Sequence, residues 1–242
     1  EMLTELLTNG SVSAFCQEHE DVHLATLVAP KIIDPLASKK YDTIIEVNLK
    51  QGIVDRVISQ LKQINSKTLL FLEKLERLTI EFGGNVYVYK KTTTSNEGEI
   101  SGIKITTTLN CDLVEDENWS VISREGSFEK QKYQVMIAYK EDMSVKPDVL
   151  HSYFKTKVQF PVPALVHATF DLNADRNHLA ETEANKHILK VICDTLVELA
   201  LLTTSESANY APLVLLSTIG DFPADLSWDE FSIRDYYFDA IA

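Results

Sequence analysis

From Phe170 to Leu199 the sequence reads FDLNADRNHLAETEANKHILKVICDTLVEL, and this stretch constrains the fold more than any other. Its first part reads as the end of a strand followed by a polar loop. Its second part begins a helix that sets Ile188, Leu189, Ile192, Leu196, Val197 and the following Ala200 at helical spacing on one side, with Cys193 beside them. Thr182 stands where the helix needs an N-cap, and Glu181 and Glu183 suit the positive end of its dipole. A long helix with one apolar stripe must lay that stripe on a partner surface, and the chain upstream is rich in strand-like segments that can provide one.

The upstream segments divide as follows. EMLTELL reads as a short helix stopped at Asn9-Gly10, and SVSAFCQ and VHLATLVAP as a hairpin. Tyr41 to Leu49 alternates as a strand, and Lys50 to Ile64 carries Ile53, Val54, Val57, Ile58, Leu61 and Ile64 on one helical face. Asn65-Ser66 breaks that helix, with Ser66 capping a short one over KTLLFLEKL. Arg77 to Phe82 and Asn85 to Thr92 form a hairpin about Gly83-Gly84. Thr93 to Glu99 reads as a polar loop, and the acidic Asn110 to Asn118 as exposed. Ile103 to Leu109, Val121 to Arg124, Lys132 to Tyr139, Lys155 to Pro161 and Ala164 to Leu172 read as strands, the last two parted by Pro161-Val162-Pro163. After Ser205 the chain turns irregular and closes with an aromatic helix starting at Ser227 or Asp229, whose Trp228, Phe231, Tyr236, Tyr237 and Phe238 dock onto the body. The fold class is α/β of the α+β kind, with mixed and antiparallel sheets flanked by helices.

A formal net charge of −13 argues against a nucleic-acid surface, which needs a basic face. Three cysteines without a CxxC fit free thiols in a reducing compartment, the cytoplasm. No apolar run reaches about 18 residues, so no membrane-spanning helix is expected. The P-loop, GxGxxG, HExxH and GxSxG patterns are all missing, and the eight glycines do not cluster into a phosphate cradle. The six histidines are scattered. His167 is expected half-buried and satisfied in a strand, and His178 and His187 are poorly spaced to share a metal, so no metal site is expected. A stand-alone hydrolase has nothing to orient a nucleophile.

Arg176 is the residue with chemistry to offer. A guanidinium stays charged at any working pH, and its fork matches phosphate oxygens. A simpler role is a surface pair with Asp175 or Glu181.

The motif LNADRNHL followed by NKHILKVICDTLVEL resembles the middle domain of the ninety-kilodalton heat-shock chaperones. Leu172, Asn173, Arg176 and Leu179 match the loop, and Asn185, Lys186, Ile188, Leu189, Lys190, Val191 and Ile192 match the helix. Asp175 and Asn177 stand where those chaperones carry Ser and Glu, and three extra residues separate Arg176 from Asn185. YFKTKVQFPVPALVHATFDL looks more like the sacsin-type proteins of the same GHKL ATPase superfamily, as do YDTIIEVNLK and LLFLEKLERLTIEF. The Ser-Arg-Glu of Ser123 to Gly126 lacks the flanking pattern and is a decoy.

The resemblance implies that residues 1–48 end a nucleotide domain, 49–204 form a middle, transducer-like domain, and 205–242 form an aromatic helical extension. It implies that Arg176 contacts the ATP γ-phosphate when the domains close. ATP and Mg²⁺ would then be held by a nucleotide domain lying upstream or on another chain, because its binding motifs are not in this sequence. The chain begins at Glu1 and is expected to be a segment of a longer protein, inactive in ATP hydrolysis alone. The alternative is a non-enzymatic assembly module, with a homodimer formed through the C-terminal helix.

Overall fold

The computed structural model describes residues 52–62, 64–97, 99–207, 210–217, 222, 226–228 and 231–242. The expected N-terminal helix, the hairpin after it and the strand over 41–49 lie outside them. The chain divides into two compact units, Glu1–Arg56 and Val57–Ala242. The second carries the fold described below.

The protein is α+β, built on one curled, mixed sheet of eight strands. Helix α1 (Val54–Leu61) and a single 3-10 turn (Ser66–Leu69) come first. Strands β1 (Arg77–Phe82), β2 (Asn85–Glu97), β3 (Ile100–Leu109), β4 (Asp112–Phe128) and β5 (Gln131–Tyr139) then run as a meander in which each strand pairs antiparallel with the next. The turns before β2 and β4 pass through left-handed backbone. Gly83 and Gly84 do this without a steric penalty, while Asn110 and Cys111 do it with side chains.

Next come β6 (Asp148–Ser152), β7 (Phe154–Phe160) and β8 (Leu165–Ala168). The chain returns so that β8 lies between β5 and β6, giving the order β1-β2-β3-β4-β5-β8-β6-β7. The β6–β8 contact, His151 opposite His167, is parallel. Helix α2 (Glu183–Ser207), a 3-10 turn (Ala211–Leu213), α3 (Val214–Ser217), a two-stranded hairpin of β9 (Ser227–Trp228) and β10 (Phe231–Ser232), and α4 (Ile233–Ile241) complete the described residues.

Both faces of the sheet centre are covered, which explains why β5 is apolar without alternation. Val135 and Ile137 face the cluster containing Ile188, Leu189, Ile192 and Leu196 of α2. Met136 and Ala138 face the opposite cluster, with Leu69, Leu70, Phe71 and Trp119. Leu165 and Val166 of β8 divide between the two clusters in the same way. Cys193 is fully buried on α2, and burial pushes its thiol pKa up. Val197, expected on the buried stripe, is only half-buried at its margin. No helix of the described residues is long and apolar enough to cross a membrane.

Several expectations need correction. Thr93 to Glu97 is strand, not loop, and extends β2; Asp112 to Asn118 begins β4, and both bond to β3 between them. Most of the acidic stretch is exposed, but Glu117 is buried and takes bonds from Ser66 Oγ at 2.7 Å and Lys140 Nζ at 3.0 Å. Strand β6 was not expected. Asn65, not Ser66, caps the turn after α1, its side chain accepting from the Lys67 N–H. The last helix starts at Ile233, capped by Ser232, and the residues before it pair as β9 and β10. The extension does pack on the body: Leu215, Leu226, Phe231, Ile233 and Tyr237 join the α2 core, and the Tyr237 hydroxyl donates to Leu215 O at 2.8 Å.

Candidate functional site

The loop between β8 and α2 is held shut at three levels. At its neck, Leu172 and Leu179 form an antiparallel bridge, and the Ala180 N–H donates to Asp171 O at 2.9 Å. Leu179 is buried in the α2 core and Leu172 packs against it. Higher up, Asn173 N–H donates to His178 O at 2.9 Å, and Arg176 N–H donates back to Asn173 O at 2.8 Å. On its flank, Lys157 N–H of β7 donates to Asn177 O at 2.7 Å. The motif leucines are therefore anchors.

Asn185 secures the neck. It lies fully buried in the first turn of α2. Its Oδ1 accepts from Asp171 N–H at 3.0 Å, and its Nδ2 donates to Asp171 O at 2.8 Å and to Ala180 O at 2.7 Å. One side chain thus joins both ends of the loop to the helix. Thr182 caps that helix as expected, accepting from Asn185 N–H at 3.2 Å. The sequence comparison singled out Asn185 as a match but assigned it no task, and its clamp becomes visible only when the three strands of chain meet.

Arg176 sits at the loop tip, exposed, with a left-handed backbone of φ 55°. Bulky residues avoid that region, so the fold holds a strained arginine where glycine or asparagine would sit easily. The expected pairs with Asp175 and Glu181 do not form. Asp175 is engaged elsewhere: it accepts from Asn177 N–H at 2.9 Å and bonds His178 Nδ1 at 3.0 Å. These contacts, led by the Asn177 amide, hold its carboxyl down at about 2. Among the described residues the Arg176 side chain has no ion pair or hydrogen bond. Arg124, the decoy, is the opposite case: it bridges Glu99 and Glu198 and ties β4 to α2.

The histidines fall into three settings. His178 belongs to the loop. His187 stacks on Phe128 and meets the edge of Tyr133. His167 is fully buried rather than half-buried, and only partly satisfied: Nδ1 accepts from Tyr153 N–H at 3.1 Å, while Nε2 has no hydrogen-bond partner. It stacks on Phe71, whose ring also meets His151. His151 is buried as well, with Nδ1 unpaired. Burial lowers both imidazoles to about 4 and keeps them neutral. Nothing in the sequence announced this pair, because it arises from the parallel β6–β8 contact. No group of three His, Cys, Asp or Glu among the described residues could hold a metal.

The loop can therefore present one fixed positive charge to a phosphate, carboxylate or similar oxyanion, with the Asp175–His178 pair beside it. No protein-family model, curated protein or solved structure matches this chain.

Proposed function

We propose that the chain is the arginine-donating, transducer-like part of a GHKL-type, sacsin- or chaperone-like ATPase. On this reading Arg176 reaches the γ-phosphate of ATP, held with Mg²⁺ by a nucleotide domain upstream or on another chain. The observation that carries it is the unpaired Arg176 guanidinium on a clamped loop. A structural arginine would have taken a nearby carboxylate, as Arg124 does. Domain closure would deliver the charge to the phosphoryl group as it transfers, coupling turnover to movement. The free thiols of Cys111 and Cys193 accord with a cytoplasmic setting.

The test is ATP turnover by the upstream-extended protein, wild type against Arg176→Ala and Arg176→Lys. Arginines supplied in this way contribute about 10³–10⁵ in rate in other phosphoryl-transfer systems. A large fall in kcat with ATP binding retained, and poor rescue by lysine, is the expected result. Unchanged turnover in Arg176→Ala removes the residue from the chemistry.

The second reading, a non-enzymatic assembly module, has its own observation. Leu201 and Leu202 of α2 and Phe238 of α4 are exposed. A homodimer through α4 would show as concentration-dependent sedimentation, abolished by Phe238→Ser. Tyr237 is not a suitable probe of it, being buried in the core.

A further inference from the structure

A cleft of about 490 Å³ opens beside the β6–β7 turn, and no residue of the arginine loop lines it. Its apolar wall includes Leu61, Ile64, Tyr153 and Phe154, and buried His151 also lines it. The lining carries two lysines, Lys67 and Lys155, and no carboxylate, in a chain of net charge −13. Lys155 is paired with Asp148, which lies outside the lining, at 2.7 Å. Lys67 Nζ has no ion pair among the described residues.

The turn itself is unusual. Only Tyr153 separates β6 from β7, and it turns with φ 62°, a conformation that glycine adopts freely and a large aromatic residue resists. The fold supports it: its N–H bonds His167 Nδ1, and its ring lies 4.9 Å from the His167 ring. Tyr153 and Phe154 are left 46% and 68% exposed, side by side at the cleft. Backbone strain retained in order to display an aromatic ring at a cavity is a mark of a binding site. Tyr153 also borders a neighbouring cavity of about 460 Å³ floored by Phe71.

We propose that this cleft binds a small organic anion with a flat apolar body. The body lies against Tyr153 and Phe154, and the anionic group sits at Lys67 with Lys155 behind it. Lys67, which has no ion pair among the described residues, selects the charge; the aromatic pair selects the shape. This assignment is independent of the role of Arg176.

The probe is anilinonaphthalene sulfonate, a flat aromatic anion, titrated into the full chain at neutral pH by fluorescence and calorimetry. The expected result is one saturable site. Lys67→Glu, at a position outside the core, weakens it at least about tenfold, and so does Tyr153→Gly, which also relieves the turn. The uncharged analogue phenylnaphthylamine binds more weakly than the sulfonate and is indifferent to Lys67→Glu. Phe238→Ser, at an exposed position on α4, leaves binding unchanged. Absence of saturable binding, equal affinity for the two probes, or insensitivity to Lys67→Glu overturns the proposal. Loss of binding in Phe238→Ser also overturns it, by placing the probe elsewhere. Lys67→Glu decides the matter even if Tyr153→Gly does not fold.

Discussion

Replacing Asn185 with alanine tests the clamp that holds the arginine loop. The side chain makes three hydrogen bonds, to Asp171 N, Asp171 O and Ala180 O. Asp171 O keeps its bond from Ala180 N–H after the change, so two groups lose their partner, the Asp171 amide and the Ala180 carbonyl. An orphaned polar group that stays out of water costs about 1–3 kcal/mol, so the expected destabilisation is roughly 3 kcal/mol. That is a large fraction of the stability of an ordinary domain. Asn185→Asp should be at least as damaging, since it keeps the acceptor for Asp171 N–H but turns a carboxylate toward two carbonyl oxygens. The assay is equilibrium urea unfolding, read at unchanged m-value so that the shift reports stability alone. Hydrogen exchange gives the local readout: the amides of Asp171, Asn173 and Arg176 should lose protection in Asn185→Ala. A loss of less than about 1 kcal/mol, with loop amides still protected, would show that the neck is held by Leu172 and Leu179 instead.

Two further outcomes concern stability alone. His151 and His167 sit at about 4 in the fold, against an ordinary value near 6.5, so the unfolded chain binds more protons between these limits. Stability should be level above about pH 7 and fall as pH drops from 6.5 toward 4, by several kcal/mol for the pair. Urea unfolding at pH 7.5 and pH 5 checks this. His167→Asn, which keeps an acceptor for the Tyr153 N–H, should flatten the dependence, whereas a wild type equally stable at both pH values would contradict it. Cys111, exposed with φ 76° in the β3–β4 turn, should accept glycine with a gain of about 0.5–1 kcal/mol, seen as a higher midpoint in thermal unfolding.

Much of the architecture was legible in local chemistry. The Gly83-Gly84 hairpin, the proline-delimited break before β8, the Thr182 cap and the α2 stripe all follow from short-range rules, and the structure contains them. The misreadings share one cause. Thr93 and Asp112 to Glu115 are exposed parts of β2 and β4, Leu113 and Val114 included, so burial leaves no alternating pattern there and their pairing comes from β3. Strand β6 is short and its place beside β8 is set by distant partners, so no periodicity reveals it. At the candidate site the flanking pattern pointed to Arg176, but its lack of a carboxylate partner depends on Asp175 being taken by Asn177 and His178. The His151–His167 pair and the Tyr153 turn are products of strand order, which one-dimensional spacing does not encode.

The bond from Lys157 N–H to Asn177 O has a consequence for solubility. Strand β7 is the last in the sheet, and a terminal strand with free amides is a template on which other chains can polymerise. The arginine loop lies against that border and occupies one of its donors. Lys155 and Lys157 point charge outward along the same strand, a common guard against such growth. Loosening the loop would therefore uncover an adhesive margin as well as displace an arginine. Variants at the loop neck should be judged by what they precipitate as much as by what they fail to do.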